Sequence, residues 1–149
     1  MGDFGVPDDL GFNTGLIEDP GAFAAARGAR SWLYLNGPEF AEMEGGMSFA
    51  QVEGAVDEAV NIVSDPPREM TLELVQEHVA AIDRLPRPTL VTCRMGPRSS
   101  ASVYIYAGLK AGATADEVLA RADADEAPFA SMPPLRDLVR QAMDELEAP

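Results

Sequence analysis

Three short apolar runs stand out along the chain: Trp32-Leu33-Tyr34-Leu35, Val60-Asn61-Ile62-Val63 and Thr89-Leu90-Val91-Thr92. Each is too brief for a helix and suits a buried strand. Between and after them the apolar positions recur at helical spacing. Ser48 and Gln51 form a capping box, with Phe49, Val52 and Val56 on the face behind it. Thr71 caps a helix whose stripe is Leu72, Val75, Val79 and Ile82. After the third run a helix reaches about Lys110, apolar nearly all round through Val103, Ile105, Tyr106 and Leu109. Gly112 stops it, and Thr114 with Glu117 opens the next helix as a second capping box. Pro134 suits the first turn of the last helix, whose buried face is Leu135, Leu138, Val139 and Met143. Ala22 to Ala29 is Ala-rich and reads as helix, with Gly28 near its end. Residues 1–20 are rich in Gly, Pro and Asp, so loop is expected there, loosely ordered over 1–10, with a short edge strand near Phe12.

Strands alternating with helices predict an α/β fold of three layers, a small, mainly parallel sheet flanked by helices. In such sheets ligands bind in the crevice at the carboxyl ends of the strands. The length of 149 residues predicts one domain spanning 1–149. Eleven basic against 25 acidic residues give a net charge of −14, which repels a phosphate backbone and argues against nucleic-acid binding. No apolar run approaches the ~20 residues of a spanning helix, so no membrane partner is expected. The N-terminal MGDFGVPDDLGF lacks the basic and apolar regions of a signal peptide. One cysteine, Cys93, excludes an intrachain disulfide, and a cytoplasmic location is the expectation. His78 is the sole histidine, beside an apolar stripe and with no second ligand near it. It reads as a satisfied boundary residue, and neither a metal nor another cofactor is expected.

The chemistry gathers where the third run meets its helix, at Cys93-Arg94-Met95-Gly96-Pro97-Arg98-Ser99-Ser100. A strand, a Gly-containing turn and a helix start together make an anion cradle of inward amides. Cys93 at its opening is expected to act as a thiolate nucleophile. Gly96 lets the backbone approach a ligand closely. Arg98 can present a fork of donors to an oxyanion. The amides of Met95, Gly96 and Ser99, and the hydroxyls of Ser99 and Ser100, are further candidate donors. Arg94 points either at substrate or at a neighbouring carboxylate.

At these residues the chain resembles the superfamily of cysteine-dependent phosphatases and rhodaneses. It is most similar to the beta-lactamase hydrolase-like, phosphatase-like family, described as sulfur transferases, whose pattern is Cys-Arg-x-Gly-x-Arg-Ser. The resemblance covers roughly residues 8–125 and implies a cysteine-phosphatase-like fold. Three positions depart from it. Asn36-Gly37-Pro38-Glu39 stands where the family has an Arg after the first strand, and Thr92 stands where tyrosine phosphatases place a His. Pro97 withholds an amide from the cradle. Four residues separate Cys93 from Arg98, as in rhodaneses, against five in the phosphatases.

That comparison implies sulfur transfer through a Cys93 persulfide, from thiosulfate or a small persulfide donor to an external thiol acceptor. The alternative is hydrolysis of a phosphomonoester through phosphocysteine, with Asp65 as general acid in the Ser64-Asp65-Pro66-Pro67 loop where related phosphatases keep that acid. A third reading is a catalytically silent anion-binding or regulatory module. Glu39, Glu42 and Glu44 read as a solvated acidic loop, Met43 and Met47 as loop packing or an apolar entrance, and Trp32 and Tyr34 as core.

Overall fold

Parallel register organises the computed structural model, which describes residues 4–149. Strands β1 (Leu10–Phe12), β2 (Ser31–Tyr34), β3 (Glu58–Asn61) and β4 (Thr89–Thr92) form one parallel sheet in the order β1-β4-β2-β3. β4 and β2 are the inner strands, and all four residues of each are buried. Side chains alternate across the pleat. Trp32, Tyr34 and Leu90 face one core with Phe40 and Val52, while Leu33, Leu35, Val91 and Cys93 face the other.

Two short helices, α1 (Pro20–Ala26) and α2 (Phe49–Glu53), belong to the first core. The second and larger core is built from α3 (Leu72–Arg84), α4 (Pro97–Ala111), α5 (Ala115–Asp125) and α6 (Pro133–Glu145). The expected three layers are therefore present. Both capping boxes close as read, Ser48 with Gln51 and Thr114 with Glu117. α4 is buried continuously from Ser99 to Leu109, which explains why its sequence shows no polar face.

Two boundaries differ from the sequence reading. β3 starts at Glu58 rather than Val60, because Ser31 pairs with Glu58 and Tyr34 with Asn61. The Asn61 side chain donates to the carbonyls of Tyr34 and Asn36 at 2.9 and 3.0 Å. An edge strand with exposed ends carries too weak an alternation to reveal that register. Val56 falls outside α2, which stops at Gly54. Within the stretch 1–10 expected to be loosely ordered, the Phe4 ring sits edge-on to Tyr104 at 6.4 Å, and Leu10 is buried at the start of β1. Residues 1–3 of that stretch lie outside the described part of the chain. Among the described residues no helix is long and apolar enough to cross a membrane.

Candidate active site

Cys93 follows β4 directly and lies at the carboxyl end of an inner strand, where the fold opens a crevice. Its sulfur is nearly enclosed and faces two backbone amide donors. The amides of Gly96 and Ser99 lie 3.2 and 3.4 Å from Sγ, and the Ser99 hydroxyl lies at 3.4 Å. The first two converge because the chain turns sharply at Gly96, with φ +114°, and enters α4 at Pro97. A Cβ at Gly96 would strike the carbonyl of Asn13 and come within 3.1 Å of Pro128 Cγ, so only glycine fits.

Asn13, just past β1, holds this turn in shape. Its Nδ2 donates to the carbonyl of Cys93 at 2.8 Å, and its Oδ1 accepts from the Cys93 amide at 3.2 Å and the Ser99 hydroxyl at 3.0 Å. Asn13 is buried. Thr92, in the position where a His was noted as missing, accepts from the indole of Trp32 at 2.7 Å and serves the opposite core.

Arg98, in the first turn of α4, is held by its Nη1, which donates to the carbonyls of Ser64 and Arg68. Its Nε and Nη2 form no hydrogen bond among the described residues. Burial draws its guanidinium below the usual value, while the charges of Cys93 and Asp65 pull it back up. Ser64 thus positions Arg98 through its backbone, and Ser64 is itself fixed by its side chain. The Ser64 Oγ donates to the Ile62 carbonyl at 2.9 Å and lies 2.8 Å from His78 Nε2. One hydroxyl proton cannot serve both, so we assign the proton between Ser64 and His78 to Nε2. His78 Nδ1 then accepts from Ser102 of α4 at 2.7 Å. Burial pushes His78 down to about 3, and the ring is a neutral bracket between α4 and the Ser64 loop.

Asp65 is placed differently from the expectation of a waiting general acid. Its carboxylate is fully buried and accepts from the Gly37 amide at 2.9 Å, Arg68 Nη1 at 3.0 Å, Arg94 Nε at 3.1 Å and Asn36 Nδ2 at 3.3 Å. Both oxygens are occupied by donors, which is the environment of an anchor for arginines. The same bonds answer the question left at Arg94. It turns to the carboxylate, reaches the Pro66 carbonyl at 3.1 Å and lies over the Phe40 ring at 5.7 Å. Arg68 also pairs with Glu39 at 2.6 Å, and that bond holds the Glu39 carboxyl below its usual value. Part of the acidic loop is therefore tied to the site.

A cavity of about 660 Å³ opens over Cys93, and its lining includes Arg68, Arg94 and Arg98 as well as Met95, Met132 and Leu135. Of the residues singled out from sequence, Cys93, Arg94, Met95 and Arg98 reach it, and Gly96 and Ser99 shape its floor. The Met95 amide makes no bond to Sγ among the described residues. Ser100 is a correction: its hydroxyl accepts from the Phe129 amide at 3.3 Å and donates to the Pro97 carbonyl at 3.0 Å, facing away from the loop. Asn13, Ser64 and Arg68 went unnoticed in the sequence. Each acts through a contact far away in the chain, and no local motif marks it. Among the described residues no group of His, Cys, Asp and Glu could hold a metal ion.

No protein-family model and no curated protein matches the chain. Solved structures do. Tk-PTP in its active form superposes with a TM-score of 0.76 at 14% identity, covering 96% of this chain and 97% of that one. A protein from Neisseria meningitidis described as a phosphatase gives 0.69 at 20% identity, covering 95% and 99%. PTPMT1 gives 0.65 at 12% identity, covering 94% and 92%. At these identities the likeness concerns the fold, which is cysteine-phosphatase-like.

Proposed function

We propose that the protein hydrolyses phosphomonoesters through Cys93. The observation that carries the reading is the convergence of the Gly96 and Ser99 amides on Sγ, with Arg98 beside it, at the floor of an open cavity. Amides aimed at sulfur favour its anionic form, and the same amides with Arg98 suit the oxygens of a phosphoryl group. In the first step Sγ bonds to phosphorus while the ester P–O bond breaks, and the departing alkoxide takes a proton from solvent water. In the second step water attacks phosphorus, the S–P bond breaks and phosphate leaves, returning the thiolate and releasing a proton to solvent. Asp65 would serve as the acid only after Arg94 and Gly37 release it. With Asp65 held as an anchor, esters of acidic alcohols react fastest, because their leaving groups need little protonation.

The fold shared with a protein described as a phosphatase supports this reading over sulfur transfer. The test is turnover of an aryl phosphate, with trapping of the intermediate. Wild-type protein is expected to release phosphate and to show one added phosphoryl group by intact mass after acid quench. Cys93→Ser is expected to show neither, and hydrolysis that survives in that variant would defeat the proposal.

Sulfur transfer is the second reading, favoured by the four-residue spacing from Cys93 to Arg98 and the missing amide at Pro97. Incubation with thiosulfate, followed by intact mass, would then add one sulfur at Cys93. With a single cysteine in the chain, the accepting thiol must come from another molecule.

A further inference from the structure

The cavity has two chemically different linings. One set of lining residues is Cys93 with Arg68, Arg94 and Arg98. The other set, an apolar wall, is Met95 from the loop together with Met132, Leu135 and Leu138 around the start of α6. Leu16, Met43, Met95 and Met132 are the large hydrophobic residues left exposed among the described residues, and two of those four stand on this one wall. Exposed apolar side chains gathered beside a reactive group mark a contact surface, and the unbranched Met chain adapts to varied apolar shapes. The volume of about 660 Å³ lies in the range of small-molecule sites and far exceeds the ~30 Å³ of a water. A phosphoryl group on the floor leaves most of that space to the organic half of the ligand. Sugar hydroxyls placed against the two methionines and two leucines would find no partner there.

We infer that the ligand is a free small molecule with a single anionic head and a sizeable apolar body, selected by the Met95–Met132 wall. Combined with the phosphatase reading on which it rests, this makes the substrate a phosphomonoester of an apolar alcohol. Charge argues for a free molecule over an anionic lipid surface, since the chain carries −14 overall while three arginines are concentrated in the cavity.

The experiment separates binding from turnover. Linear alkyl sulfonates from butyl to octyl, below their micelle concentrations, are titrated by calorimetry into the wild-type protein. Sulfonates cannot be hydrolysed, so affinity is read whatever the reaction. Affinity is expected to rise by about fourfold for each buried methylene. Met132→Glu and Met95→Glu, checked for unchanged melting temperature, are expected to flatten that slope. Leu16→Glu, an exposed apolar position away from the cavity, is expected to keep it. A flat series in the wild type, or a slope unchanged in both Met variants, overturns the inference even if aryl phosphates are hydrolysed. Aryl phosphates test the other claim: a steep sulfonate binding series with no phosphate release from aryl phosphates leaves the apolar wall intact and removes the phosphatase reading. Cosedimentation with phosphatidic acid vesicles, together with absent binding of the monomeric series, would overturn the free-molecule source.

Discussion

His78 offers a test that reaches from the core to the site through a single proton. The ring is buried between Ser64 and Ser102, and its affinity for a second proton falls to about 3 from the ordinary 6.5. The unfolded chain binds that proton near pH 6.5, whereas the folded chain resists it until near pH 3. The stability contribution is therefore fully present above pH 6.5 and is lost as pH falls toward 3. One proton corresponds to about 1.4 kcal/mol per pH unit, so between pH 6.5 and 5 the folded state loses about 2 kcal/mol on this account. Against a total of about 5–15 kcal/mol for a domain, that is readily measured. His78→Gln retains a donor and an acceptor but cannot titrate. Urea unfolding of both proteins at pH 7.5, 6 and 5 gives the difference in stability, and carboxylate titrations common to both cancel. The wild-type advantage is expected to shrink by about 2 kcal/mol from pH 7.5 to 5. Parallel curves, with a difference that does not change with pH, would refute the neutral-bracket assignment.

The other site residues make separable claims. Gly96→Ala forces a Cβ onto the Asn13 carbonyl at a φ of +114°, so a loss of about 2 kcal/mol in urea unfolding, with at least about tenfold lower phosphate release, is expected. Asn13→Ala leaves the buried Cys93 amide without its acceptor, at a cost of about 1–3 kcal/mol, and turnover is expected to fall while the helical circular dichroism stays unchanged. Asp65→Asn tests anchor against acid. As an anchor of Arg94 and Arg68, its loss is expected to cost about 2–3 kcal/mol, below the figure for a wholly buried pair because both arginines reach solvent. The rates on good and poor leaving groups should then fall in the same proportion. A selective loss on poor leaving groups would make Asp65 the acid.

Much of the architecture is local in origin. The spans of α3 and α5, the bounds of β4 and the turn from Cys93 into α4 follow from caps, apolar spacing and a glycine, all of which act within a few residues. The placement of Cys93 near Arg98 was legible for the same reason, since a strand-to-helix turn brings them together whatever surrounds it. The exit of β3 was not, because an edge strand takes its register from the neighbour it pairs with. The role of Asp65 was not legible either. Its spacing after a strand suits an acid, but the carboxylate is claimed by Arg94 from 29 positions away and by Gly37 from 28. Asn13 reaches Cys93 across 80 positions, and His78 takes its meaning from serines on two other elements. Short-range order depends on steric and capping preferences that each segment carries with it. Hydrogen bonds between buried polar groups depend on which segments packing brings together, and only the folded chain decides that.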